Sequence, residues 1–253
     1  MNVGWLETSF AVADLERTSA WYRKLGFQVV STADEGKSHT LEAGDCRLAL
    51  YQGILDGAET HLIFWQGEVE ACAEALAAKG VAFVRALEIN DRGEASFVAR
   101  DPDGQLIFAI RENGVTRDAA HTDAPDLDRG FFQVSLPVKD ADRTAAFYEL
   151  LGFRRKAFDD PRVAPLTNGD CRICLYQFPL DPNELQLNFW QGDVDAVAAV
   201  ARREGLHFYR EPGRDAAGAG LTLLDPDGRP VFFIKMNKYT SADFVSETGE
   251  MLA

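Results

Sequence analysis

Two eight-residue stretches decide the fold: FWQGEVEA at Phe64–Ala71 and FWQGDVDA at Phe189–Ala196. They differ only by Glu-to-Asp exchanges. Working outward, each is preceded by a second matched stretch, LEAGDCRLALYQ from Leu41 and LTNGDCRICLYQ from Leu166. Further upstream, FAVADLERTSAWYRKLGF from Phe10 matches LPVKDADRTAAFYELLGF from Leu136. Downstream, DPDG at Asp101 matches DPDG at Asp225. Order is kept throughout and the spacing slips by only one or two residues. Convergent amphipathic patterns would not reproduce GDCR and FWQG, so the chain is one unit written twice.

Each copy divides again. Residues 5–12 alternate as a strand. Asp14 suits a helix N-cap, and Leu15 to Leu25 carry helical apolar spacing that Gly26 stops. Short strands are expected near 27–31, 38–43 and 46–52. Then the order restarts, with a strand at His61–Trp65 and a helix over 68–79 ended by Gly80. Strands near 82–86, 94–100 and 105–111 follow. The second copy repeats this over 131–177 and 185–235. The fold class is therefore α+β, with four βαβββ modules in two domains. The expected bounds are 1–111 for the first domain, 112–130 for a linker rich in Asp, Ala and Gly, 131–236 for the second domain and 237–253 for a polar tail.

The chain has 253 residues and a formal charge of −14. Phosphate backbones attract clustered Lys and Arg, so this balance argues against a nucleic-acid partner. No apolar run approaches the ~20 residues that cross a bilayer, and residues 1–6 lack a signal-peptide pattern. A cytoplasmic location is expected, with no membrane partner. Four cysteines are too few for a disulfide-stapled scaffold. Cys171 and Cys174 form a CxxC, but on a strand residues three apart face opposite ways, so buried thiols are the expected reading. His39, His121 and His207 have no spaced partners and are expected at the surface or in loops. Tyr22 and Tyr148 close the first helix of each copy and are expected in the core.

The run VADLERTSAWYRKLGF, followed by GDCR…LY, FWQGEVEACAEALAAKG and DPDGQLIFAI, resembles the vicinal-oxygen-chelate superfamily of glyoxalases, bleomycin-resistance proteins and extradiol dioxygenases. The resemblance covers nearly all of the chain outside the linker and tail. It implies curved mixed sheets with helices outside, each sheet curled around a cleft. The superfamily includes lyases, epimerases, dioxygenases, antibiotic-modifying transferases and non-catalytic antibiotic-binding proteins, so fold alone does not fix function. DPDG by itself is a good turn.

Metal-using members of that superfamily place a His, Gln or Glu seven residues before the capping Asp. That position is Glu7 in the first copy and Gln133 in the second. Strand period puts Trp5, Glu7 and Ser9 on one face and Leu6, Thr8, Phe10 and Val12 on the more apolar one, which should meet the helices. The second ligand position corresponds to His61 and Gln186, on the same faces as Ile63 and Trp65, and Asn188 and Trp190. The third, usually Glu, is Phe108 and Phe232. A fourth aligns with Leu48 and Ile173. Divalent metals take about three or four protein donors. The first copy offers Glu7 and His61, and the second only amides.

These residues point to a metal-independent protein that binds a small, partly aromatic organic molecule. The expected ligand-binding residues are Glu7, His61, Trp65 and Phe108 in one cleft, with Gln133, Gln186, Asn188, Trp190 and Phe232 in the other. No catalytic residue is assigned. Two alternatives stay open. One is a divergent metal-dependent lyase, isomerase or dioxygenase holding an ion through Glu7 and His61. The other is an interaction protein whose clefts are filled by its own side chains. Monomer and homodimer are both open, as is the pairing of modules within or across copies.

Overall fold

A computed structural model describes residues 1–55, 60–116, 127–181 and 184–238. Residues 117–126 of the expected linker, including His121, and residues 239–253 of the expected tail lie outside the described residues.

The first copy contributes β1 (Gly4–Ala11), α1 (Leu15–Lys24), β2 (Gln28–Ala33), β3 (Ser38–Ala43), β4 (Cys46–Tyr51), β5 (Thr60–Gln66), α2 (Val69–Ala78), β6 (Phe83–Ile89), β7 (Ala95–Arg100) and β8 (Leu106–Arg111). The second contributes β9 (Gly130–Pro137), α3 (Ala141–Glu149), β10 (Arg154–Arg155), β11 (Val163–Thr167), β12 (Arg172–Tyr176), β13 (Gln186–Gln191), α4 (Val194–Arg203), β14 (His207–Arg214), β15 (Gly218–Leu224) and β16 (Pro230–Met236). The predicted βαβββ order holds in all four modules. Asp14 and Asp140 cap their helices, each carboxylate accepting from the backbone N–H three residues on.

Each copy forms one eight-stranded mixed sheet. The orders are β2-β3-β4-β1-β5-β8-β7-β6 and β10-β11-β12-β9-β13-β16-β15-β14. The central pairs β5–β8 and β13–β16 are parallel. Helix packing follows a second plan. The chain divides into two compact units, each drawing on both copies.

The first unit holds Met1–Ser9, Thr60–Ala119 and Leu136–Asn183. In it α3 of the second copy meets the DPDG turn of the first. Tyr148 Oη donates to Asp101 Oδ2 at 3.2 Å, and Thr144 Oγ1 to Asp103 Oδ2 at 2.6 Å. The Lys139 N–H also donates to Asp103 Oδ1. Phe64 and Phe153 meet edge to face.

The second unit holds Phe10–Glu59, Ala120–Ser135 and Glu184–Ala253. There α1 of the first copy meets the DPDG turn of the second. Tyr22 Oη donates to Asp225 Oδ2 at 3.3 Å and Thr18 Oγ1 to Asp227 Oδ2 at 2.7 Å. The Ala13 N–H donates to Asp227 Oδ1. Phe189 packs with Phe27, Phe132 and Phe233.

DPDG is thus more than a turn. Its first Asp is a buried acceptor for a tyrosine, and its second holds the helix entry of the other copy, accepting from a Thr hydroxyl of that helix and from the N–H just before the capping Asp. Tyr22 and Tyr148 are fully buried, as expected of core aromatics. Burial pushes both phenols well above the usual range and also raises Asp101 and Asp225.

FWQG is a crossing of two backbones. A Cβ on Gly4 would lie 1.9 Å from the Trp65 carbonyl oxygen, and one on Gly67 2.1 Å from the Val3 carbonyl carbon. Gln66 turns with φ 63° and clamps the end of β8, its side chain bonding the N–H and C=O of Glu112. Gln191, with φ 65°, does the same to Met236.

His39 corrects an expectation. It lies buried on β3, bonded through Nδ1 to Ser19 Oγ of α1 at 2.8 Å. A polar partner on the packed helix makes that burial affordable. His207 is exposed, as expected. None of the four cysteines forms a disulfide; Cys171 is half-buried and Cys174 buried.

Candidate functional site on the sheet faces

In the second copy the strand register sets the site out in rows. Gln133 on β9 stands beside Asn188 on β13, Asn188 beside Phe232 on β16, and Phe232 beside Thr222 on β15. Partners across a ladder share a face, so these four form one row. The next row is Phe131, Trp190, Ile234 and Gly220. On the other side Gln186 stands beside Ser135. The opposite face carries Phe132, Phe189 and Phe233, which pack in the core beside Phe27. All five residues expected to line the second cleft therefore share the face turned away from that core.

The polar members of this face are nearly inaccessible. Gln133, Gln186 and Asn188 are at most 6% exposed. Asn188 Nδ2 donates to Ser135 Oγ at 2.8 Å and to the Gln186 carbonyl at 3.3 Å, which fixes its amide. Among the described residues the Gln133 amide has no hydrogen-bond partner. Spacing did not reveal Thr222 as part of the row, because only the β15–β16 register brings it beside Phe232.

The first copy repeats the layout with different chemistry. Ile63 stands beside Phe108, Phe108 beside Val98, and Trp65 beside Ile110. The His61 ring lies 5.0 Å from that of Phe108, and Trp65 stacks on Trp5 at 5.9 Å. Glu7, two residues from Trp5 on β1, shares that face. Glu7 and His61 are buried, and Trp65 and Phe108 half-buried. Trp65 Nε1 and Ser9 Oγ are shielded from solvent without a hydrogen-bond partner among the described residues.

One aligned position is corrected. Leu48 pairs with Leu41, on the β3 face that also carries His39, and His39 is bonded to α1. Leu48 therefore belongs to the helix-packed core, where it is fully buried. The opposite face of β3 and β4 carries the Glu42–Arg47 ion pair.

The donor set does not fit a metal ion. The first copy brings Glu7 and His61 to one face, with the Phe108 ring packed on the imidazole. The second copy brings only amides. Among the described residues no three His, Cys, Asp or Glu side chains are grouped so as to hold an ion.

The model of the Glyoxalase/Bleomycin resistance protein/Dioxygenase superfamily matches residues 4–108 and 130–231. The chain belongs to this superfamily. Solved structures share the fold. A Mn(II)-bound glyoxalase from Novosphingobium aromaticivorans is 17% identical, with 91% of this chain and 80% of that chain covered and a TM-score of 0.62. The 2,3-dioxygenase LapB from Pseudomonas sp. KL28 is 19% identical, with 94% of each chain covered and a TM-score of 0.63. An extradiol ring-cleaving dioxygenase from B. fuscum is 18% identical, covering 98% of this chain and 74% of that one, with a TM-score of 0.63. At such identities the likeness is one of fold. No curated protein matches the chain.

Proposed function

We propose that this superfamily member binds a small, partly aromatic organic molecule on its sheet faces without using a metal ion. The observation that carries the reading is the Phe108 ring against His61. An aromatic side chain fills the place where the superfamily pattern puts a carboxylate, and Phe232 repeats the substitution. Aromatic walls with a few fixed polar groups are what a site for a planar ligand needs. In the first copy the walls are Trp65 and Phe108, with Glu7 and His61 to orient the ligand. In the second they are Trp190 and Phe232, with Gln133, Gln186 and Asn188. The unpartnered Trp65 Nε1 supports the reading, since buried polar groups are normally satisfied. Burying about 200 Å² of apolar ligand surface would contribute about 5 kcal/mol before ordering costs.

A second reading is favoured by one observation, the shared face of Glu7 and His61. It makes the first copy a divergent metal-dependent lyase, isomerase or dioxygenase. We also place the protein in the cytoplasm, as a monomer or homodimer with domains at 1–111 and 131–236. The charge of −14 opposes a nucleic-acid partner. No helix among the described residues is long and apolar enough to cross a membrane.

The test is a thermal-shift screen of neutral bicyclic aromatics such as quinolinone and naphthamide, run on the wild type, Trp65→Ala and Asn188→Ala. Stabilisation of the wild type, reduced in one or both variants, is expected. A screen with no stabilisation, together with a crystal structure showing both faces covered by the protein's own side chains, would overturn the proposal.

A further inference from the structure

Away from the sheet faces, the first unit has a cavity of about 780 Å³ beside the joint of α3 with the DPDG turn. The end of α2, the start of β6 and the end of β7 form one side, and α3 the other. Its apolar lining includes Val81, Phe83, Phe147 and Leu150. Three cations, Lys79, Arg100 and Arg143, also line it. Among the described residues none of them pairs with a carboxylate, although Arg100 donates to the Gly104 carbonyl. The single lining acid, Asp101, is buried with both oxygens occupied, by the N–H groups of Asp103 and Gln105 and by Tyr148 Oη. A chain of net charge −14 thus presents a basic, partly apolar cavity.

The second unit supplies an internal control. The equivalent space there, between α1 and the other DPDG turn, is about 480 Å³. Lys24, in the place of Leu150, reaches across it and donates to the Glu204 carbonyl at 3.1 Å. By the repeat, Lys79 corresponds to Glu204 and Arg100 to Leu224, and Trp21 replaces Phe147. One copy of this joint is strapped and has lost two of its three cationic positions. The other is open and cationic.

We propose that the open cavity binds a small amphipathic anion, a carboxylate on a short aliphatic body. The apolar body would lie on Val81, Phe83 and Leu150, and the carboxylate would take charge-assisted hydrogen bonds from Arg143 and Lys79. The volume is that of an ordinary small-molecule site.

The experiment is titration calorimetry of the full chain with octanoate and with octanamide, its neutral isostere. One octanoate per chain is expected, with octanamide about tenfold weaker or more, since it forfeits the charge-assisted hydrogen bonds. Lys79→Gln combined with Arg143→Gln should lower octanoate affinity about tenfold without changing the thermal midpoint, because both side chains are exposed. Ala146→Trp should block the cavity. Arg17→Gln combined with Lys24→Gln, at the strapped counterpart, should leave octanoate binding unchanged. Absence of binding, equal binding of octanamide, or an equal loss from the Arg17/Lys24 pair would overturn the proposal.

Discussion

The two copies agree where they build the sheets and disagree where the sheets face outward from the core. Gly4 and Gly130, Gln66 and Gln191, Asp101 and Asp225, and Tyr22 and Tyr148 do the same work twice. The rows beside them do not. Gln133–Asn188–Phe232–Thr222 in the second copy corresponds to a row with Ile63, Phe108 and Val98 in the first, where Glu7 lies on the same face. One row is neutral and hydrogen-bonding; the other sets an acid among apolar groups, with the His61 imidazole in the row beside it. The likeness of the copies therefore sits in the backbone crossing and the helix–turn joint, and the outward faces carry the differences.

The shared framework is the first place to break the comparison. Gly4→Ala and Gly130→Ala should each destabilise by about 3 kcal/mol or more, because the new methyl would stand 1.9 Å from a carbonyl oxygen at a positive φ. Chemical denaturation of both variants checks this. A loss confined to one copy would contradict the equivalence.

A smaller and also matched loss is expected from Tyr22→Phe and Tyr148→Phe. Each leaves a buried Asp oxygen short of its tyrosine donor, costing about 1–3 kcal/mol. The pH dependence follows from the direction of the phenol shifts. Both folded-state values lie above the unfolded one. Their contribution is complete below the unfolded tyrosine value of about 10 and is lost as pH rises above it. Urea midpoints from neutral pH to above 10 should fall more steeply for the wild type than for the double Phe variant. Parallel curves would contradict this.

Much of this framework was legible in the sequence. The repeat located all four modules, Asp14 and Asp140 marked the helix starts, and strand period separated Glu7 from Leu6 and Gln133 from Phe132. The joint between copies was not. Tyr22 and Asp225 lie far apart in the chain, and no periodicity says which helix docks on which turn. Leu48 was misplaced for a related reason, since one step along β4 exchanges the two faces of the sheet. His39 looked like a solitary surface histidine because its partner, Ser19, lies on a different element. On the candidate faces the sequence period showed which residues share a side, but Thr222 joined them only through register.

Exchanging the faces should have the smallest effect on stability. Glu7→Gln, which gives the first copy the second copy's side chain, should shift the thermal midpoint little and change which ligands stabilise the protein. A thermal-shift series on this variant checks both. An unchanged ligand profile would remove Glu7 from the site.

Under the proposed function Glu7 and His61 hold no metal ion. Elemental analysis of protein purified without chelator, followed by Mn(II) titration of the wild type and His61→Ala, tests it most directly. The expected result is no stoichiometric divalent metal and the same weak Mn(II) response in both proteins. One tightly held divalent ion per chain, lost in His61→Ala, would contradict it.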